Sequence, residues 1–190
     1  MPPKSKIKRE DILATAVALV RQSGDVALNA RAVAKALCCS TQPIFSNFVN
    51  MEALRCAVIS EAVRIYTEFT KQEIESSDDP YYKASGMAYI AFAEAEPALF
   101  RLLYMRDRHG EESTPEAPLF SEMTEHVQKK TGLTGNMAEL FHLEMWAIVH
   151  GIAAMIATNY LRLDRALIST MLSDAYLGTK HRFEEKGDTK

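Results

Sequence analysis

The stretch Leu28 to Leu54, LNARAVAKALCCSTQPIFSNFVNMEAL, decides the fold. It holds two short helical patterns and a tight connection, and a long apolar-periodic segment follows at once. Asn29 can accept a hydrogen bond from an otherwise orphan amide and so N-caps the first helix. Ala30, Val33, Ala34 and Leu37 then recur at helical spacing as its buried face. A turn at Leu37, Cys38 and Cys39 leads to Ser40, which is expected to cap a second helix on the amide of Gln42. Pro43 fits the first turn of that helix, where its missing amide is not needed. Ile44 and Phe48, four apart, face inward, whereas Thr41, Gln42, Ser46 and Asn47 are expected to face outward. The outer surface is short, polar and uncharged, the kind that approaches base edges closely. This is the layout of a helix-turn-helix DNA reader.

Charge is distributed to match. Residues 1–50 hold seven Lys or Arg (Lys4, Lys6, Lys8, Arg9, Arg21, Arg31, Lys35) against three acids (Glu10, Asp11, Asp25), a net of +4. The whole chain carries −3, which leaves −7 for residues 51–190. A basic head on an acidic body is the asymmetry of a DNA-binding domain joined to one that does not bind DNA. The expected division is therefore 1–50 as the helix-turn-helix domain and 51–190 as a helical body. At 190 residues with 47% apolar content the chain can bury a sizeable core. Its apolar stretches are interrupted by charge and its N-terminus is basic and polar, so neither a membrane span nor secretion is expected, and the expected location is cytoplasmic. Cys38, Cys39 and Cys56 are odd in number and lack a C-x-x-C spacing, which argues against a disulfide framework or zinc knuckle. A buried turn beside an apolar seam accounts for Cys38 and Cys39 more simply than thiol sensing.

The rest of the pattern is helical, giving an all-α chain of about nine helices without strand hairpins or repeats. Leu54, Val58, Ala62, Ile65 and Phe69 mark a long helix from about Asn50 to Glu75, which stops in the polar run Ser76 to Pro80. Further helices are expected over about Tyr81 to Ala95, Pro97 to Met105, Leu119 to Lys130, Asn136 to Leu161 and Asp164 to Tyr176, with Asp164 as an N-cap. Asp107 to Pro118 reads as a loop.

At these residues the chain resembles the tetracycline-repressor-like (TetR) family of bacterial transcription regulators. The run ILATAVALVRQSG, Ile12 to Gly24, is similar to the family's first helix and the Gly that ends it. Arg31 to Ala34 resembles the start of helix 2, Ile44, Phe45 and Phe48 the signature in and after helix 3, and Glu52 and Leu54 the start of helix 4. WAIVHG, Trp146 to Gly151, is similar to the Trp-x-x-x-His-Gly stretch of one C-terminal subtype. Three positions depart from the family pattern. Cys38 and Cys39 replace a Gly followed by an apolar residue in the turn, at a cost of roughly 1 kcal/mol if a left-handed conformation is needed. Phe45 replaces a common Tyr and Met51 a common Lys, which weakens the electrostatic grip on DNA.

The resemblance implies a regulator that binds an inverted-repeat operator in double-stranded DNA as a homodimer and responds to a small-molecule effector. The candidate DNA-contacting residues are Lys8, Arg31, Lys35, Ser40, Thr41, Gln42, Pro43, Phe45, Ser46 and Asn47. Of these, Thr41, Gln42 and Ser46 lie nearest the bases, and Asn47 and Lys35 nearer the backbone. Candidate effector-binding residues are Met87, Tyr89, Phe100, Tyr104, Met105, His142, Trp146 and His150, which combine thioethers, aromatic walls and hydrogen-bonding groups. His142 and His150 are eight residues apart, about 12 Å along a helix, too far to share one metal, and no metal or other cofactor is expected. The segment 136–161 carries two apolar stripes, one through Phe141, Met145, Ile148, Ile152 and Met155, the other through Trp146, Val149, Ala153 and Ile156. A helix needs one stripe for its own core. The second, with Leu167, Ile168, Met171, Leu172 and Ala175 and the small Ala147, Gly151 and Ala154, suggests dimerisation through residues 136–176. No nucleophile elbow, phosphate-binding loop, dinucleotide fingerprint or H-E-x-x-H motif occurs, so an enzyme is not expected. Two alternatives stay open: a helical adaptor whose head has lost DNA affinity through Phe45 and Met51, and a helical enzyme built from scattered Asp, Glu and His.

Overall fold

The computed structural model describes residues 7–107, 109 and 117–187. Among them the chain forms nine α-helices and no strand: α1 Arg9–Ser23, α2 Ala30–Ala36, α3 Gln42–Asn47, α4 Met51–Glu75, α5 Tyr81–Ala95, α6 Pro97–Tyr104, α7 Ala117–Thr131, α8 Asn136–Ala157 and α9 Arg165–Gly187, with a 3-10 turn at Asp25–Ala27. The all-α class matches the expectation. Two compact units form, Met1–Thr67 with Glu96–Arg106, and Glu68–Ala95 with Asp107–Lys190; the boundary falls within the continuous helix α4.

In the first unit α1 is the hub, and α2, α3 and α6 all pack on it. Ile12, Ala16, Val17 and Val20 are its buried stripe, facing inward with Val33 and Ala34 of α2, Ile44 of α3, and Leu99, Leu102 and Leu103 of α6. Gly24 stops α1 at φ +76 and ψ 174, a conformation reserved for glycine. Arg21, in the last turn of α1, clasps Glu96 ahead of α6 with two hydrogen bonds of 2.9 and 2.7 Å. Arg55 of α4 pairs with Asp25, and Tyr66 of α4 meets Tyr104 edge-on at 5.7 Å. Pro97 opens α6, where its missing amide costs nothing.

In the second unit α8 is central and packs on α5, α7 and α9. Met87, Ala88, Tyr89, Ile90, Phe92 and Ala93 bury α5 on nearly every side. Gly86 lets it approach closely, since a Cβ there would sit 3.3 Å from Val149 of α8 and 3.4 Å from Leu172 of α9. Phe141 and Met145 of α8, Val127 of α7 and Phe183 of α9 form one apolar cluster. By length and composition α8 could cross a membrane, with a mean hydropathy of 1.5. Here it is the middle helix of a bundle, and two of its histidines bond to tyrosines of α5.

Several boundaries differ from the sequence reading. Helix α9 runs on past Tyr176 to Gly187, because Phe183 packs against Phe141 at a tilt, 5.8 Å between rings, and Arg182 pairs with Glu144. Helix α8 ends at Ala157 instead of Leu161: Asn159 adopts φ +55 and the amides of Asn159 and Tyr160 fold back to the carbonyls of Ile156 and Met155. Asp164 caps α9, accepting from the amide of Leu167 at 2.8 Å, as expected. The loop read at Asp107 to Pro118 falls largely outside the described residues, and α7 already begins at Ala117.

Candidate functional site

The turn between α2 and α3 is built as a helix stop with a specific geometry. Asn29 caps α2, its Oδ1 accepting from the amide of Ala32 at 3.0 Å, as the sequence implied. At the other end Cys38 adopts φ +52. Its amide donates to Lys35 O at 3.1 Å and that of Cys39 to Ala34 O at 2.9 Å, the paired bonds of a Schellman stop with cysteine at the position glycine favours. The left-handed conformation raised from the sequence is therefore present.

The chain then enters α3 through Thr41. Ser40 is exposed and precedes the N-cap; the N-cap is Thr41, in helical conformation, with no side-chain bond to the helix. This corrects the expected Ser40 cap. Pro43 sits in the first turn, and Ile44 and Phe48 are fully buried, as the spacing required. Gln42, Phe45 and Ser46 lie exposed, with the Phe45 ring half in solvent, while Thr41 and Asn47 are half-buried. Asn47 was expected to face outward; its Nδ2 instead donates to Pro43 O at 2.8 Å. The Ser46 hydroxyl likewise donates to Gln42 O at 2.9 Å. A short polar side chain in a helix can bond back in this way to the carbonyl four residues earlier.

Arg9 holds the far end of α3. Its Nη1 donates to Asn47 O at 2.8 Å, where the helix presents unmatched carbonyls, and its guanidinium lies 3.9 Å over the Phe48 ring. Sequence reading counted Arg9 only as charge, since nothing in local spacing foretells a contact across 38 residues. Lys8, Arg31 and Lys35 are exposed cations of the same unit. Cys38, Cys39 and Cys56 are free thiols, and the turn is not buried as expected: Cys38 is exposed and Cys39 half-buried.

The candidate effector residues separate into two groups. Phe100, Tyr104 and Met105 belong to the first unit, where Phe100 is buried against Tyr104 at 5.0 Å and Met105 is exposed. Met105 borders a depression of about 230 Å3 with Gly24, Leu102 and Arg106, smaller than the roughly 300 to 1,000 Å3 of drug-sized sites.

Met87, Tyr89, His142, Trp146 and His150 belong to the second unit. The Tyr89 hydroxyl meets His150 Nδ1 at 2.9 Å, and Trp146 stacks on the His150 ring at 5.2 Å. Two turns earlier on both helices the Tyr82 hydroxyl meets His142 Nδ1, also at 2.9 Å. The order of the two pairs shows that α5 and α8 run parallel. Burial pushes His142 down to about 4, lowers His150 and raises Tyr82, so both imidazoles are neutral at neutral pH. A neutral imidazole either accepts from the phenol at Nδ1, with its ring proton on Nε2, or donates to the phenol oxygen from Nδ1. Phe120 lies 4.6 Å from His142, and the Tyr82 ring stacks on His126 at 6.0 Å. Tyr82 escaped the sequence reading, although Tyr82 and Tyr89, seven apart, match the two-turn spacing of His142 and His150. Among the described residues no group of three His, Cys, Asp or Glu side chains is placed to hold a metal ion.

Residues 82–174 match the family model of the tetracyclin repressor-like C-terminal domain. The match supports the tetracycline-repressor-like (TetR) family. No curated protein matches the chain. Three solved structures share its TetR-like fold. A protein of unknown function from Rhodococcus sp. RHA1 aligns with a TM-score of 0.71 at 20% identity, over 93% of this chain and 97% of that one. A putative TetR-family transcriptional regulator from Vibrio parahaemolyticus aligns at 0.64 with 17% identity, over 90% and 97% of the two chains. A TetR variant from Acinetobacter baumannii AYE, in complex with minocycline, aligns at 0.59 with 13% identity, over 95% and 98%.

Proposed function

We propose that the chain is a homodimeric, ligand-responsive transcription regulator of the TetR family, a repressor released from its operator by a small molecule, working in the cytoplasm and not an enzyme. Residues 1–50 read DNA, and residues 51–190 bind the effector and form the dimer, with the Trp146 to Gly151 stretch marking the Trp-x-x-x-His-Gly subtype. The single observation that carries this reading is the outer face of α3. A six-residue helix, stopped behind by the Cys38 turn and held ahead by Arg9, presents uncharged Gln42, Phe45 and Ser46 to solvent. Exposed Lys8, Arg31 and Lys35 supply cations for phosphates on the same unit.

Dimerisation through 136–176 is supported by α8 and α9. The outward face of α8 runs through Leu140, Leu143, Ala147, Gly151 and Ala154, and Leu167 of α9 is also exposed. The stripe expected through Trp146, Val149, Ala153 and Ile156 is not that face, because Val149 and Ala153 are buried within the unit, as are Ile168 and Leu172 of the α9 residues expected to join it. Effector binding near Trp146 and His150 is supported by the half-exposed Trp146 ring stacked on His150. An effector can release the operator only by binding the DNA-incompetent conformation more tightly. The continuous helix α4 is the element through which that preference reaches the head.

The test is fluorescence anisotropy with duplexes drawn from the DNA adjoining this protein's own gene. Gln42 offers an amide that pairs with adenine N6 and N7. Gln42→Ala is expected to cost roughly 1 to 3 kcal/mol and to relax preference at one position per half-site. Equal loss on every sequence would make Gln42 a backbone contact.

A further inference from the structure

The face of α3 has fewer polar groups to offer than its sequence suggests. The Ser46 hydroxyl is donated to Gln42 O and the Asn47 amide to Pro43 O, at 2.9 and 2.8 Å. The exposed side chains of that face that do not bond back to α3 are the Gln42 amide and the Phe45 ring, the latter 50% exposed. The two are three residues apart, so they are neighbours on one helical face. An exposed phenyl ring forgoes hydrophobic stabilisation, whereas Ile44 and Phe48 on either side of it in sequence are buried to 0% and 2% exposure. The ring is presented from a fixed helix, because Arg9 ties down Asn47 O and covers Phe48.

In the major groove only one base carries an apolar group. Thymine presents its 5-methyl, which a Phe ring reads by contact, and adenine presents the N6 and N7 pair that an amide reads. We infer that Phe45 reads the 5-methyl group of a thymine beside the adenine read by Gln42, so that each operator half-site carries an A and a T at these two positions. This rests on the DNA reading proposed above. Duplex DNA is the occupant the charge pattern favours, since the cations Lys8, Arg31 and Lys35 are exposed on the same unit while α3 itself carries none. A protein partner for this face would leave the wild type without sequence-specific DNA binding.

The experiment is a methyl scan on the full-length protein. Each thymine of a bound operator is replaced in turn by deoxyuridine, which removes the methyl and nothing else, and Kd is measured by anisotropy. One thymine per half-site is expected to lose about 4-fold in affinity on losing its methyl, the equivalent of one buried methyl group. At that position 5-methylcytosine paired with guanine should bind more tightly than cytosine. Phe45→Ala should be indifferent to the same replacement, and Phe45→Leu, a smaller apolar side chain that serves if the alanine variant binds too weakly, should show a reduced penalty. Specific binding with no methyl-sensitive position would overturn the inference while leaving DNA reading intact. A penalty undiminished in both variants would assign the methyl to another residue. Failure of the wild type to prefer any duplex would sink the DNA reading itself.

Discussion

Cys38 shows how much of the connection between α2 and α3 hangs on one backbone torsion. A Cβ at φ +52 crowds the following carbonyl, and the cost of this left-handed conformation is roughly 1 kcal/mol for a residue other than glycine. The two amides that close the turn need that conformation, so the chain carries the strain to keep its helix stop. Cys38→Gly is expected to stabilise the protein by about 1 kcal/mol in urea titration, less the extra entropy glycine gains when unfolded. A loss of stability would show that the thiol makes a contact worth more than the strain. Arg9 works at the same scale from the opposite end of α3, where it satisfies a terminal carbonyl and covers Phe48. The Asn29 cap and the inward Ile44 and Phe48 were legible because caps and periodicity are local. The Arg9 clamp was not, because its partner is distant in sequence, and the Ser40 cap was misplaced because Ser40 and Thr41 both suit that position chemically. Asn47 turned inward for a related reason: an outward helical position does not stop an amide from folding back on its own carbonyls.

The pairing of α5 with α8 is the element that most changes what the sequence implied about the body. Periodicity gave both helices but not their direction. The two tyrosine–histidine bonds fix it, and Gly86 between the tyrosines lets the backbones close in. The candidate effector set was split between units because α6 is apolar for the sake of α1, as Leu99, Leu102 and Leu103 show by their burial. An aromatic-rich helix reads the same whether it lines a ligand site or a core. The buried pair also sets a pH dependence. Burial holds His142 at about 4, below the roughly 6.5 of an unfolded chain, so between those values the unfolded state binds the proton and the folded state does not. The stabilisation is complete above about pH 6.5 and drains away as pH falls toward 4, with His150 acting in the same direction. From pH 7.5 to pH 5, His142 should account for about 2 kcal/mol of lost stability. His142→Phe should flatten the pH profile by about that amount; an unaltered profile would mean the imidazole is not held neutral by the fold.

For the molecule as a whole, the outward faces of α8 and α9 and the outer face of α3 are parts of one proposal. An inverted repeat needs two heads, and two heads need a self-complementary surface. Leu143→Glu places a carboxylate on the exposed stripe of α8 without touching the buried core. Its expected outcome in analytical ultracentrifugation is a folded monomer, since an unpaired charge in a dimer seam costs several kcal/mol. A folded dimer unchanged by it would place the interface elsewhere. The adaptor alternative, by contrast, requires neither DNA nor a second copy. The most direct test of the central claim is the affinity of the wild-type protein for an inverted repeat from the DNA adjoining its own gene, set against a scrambled duplex of the same composition in about 0.15 M salt. The account predicts a preference of at least about 1,000-fold for the inverted repeat. Equal affinity for both duplexes would contradict it.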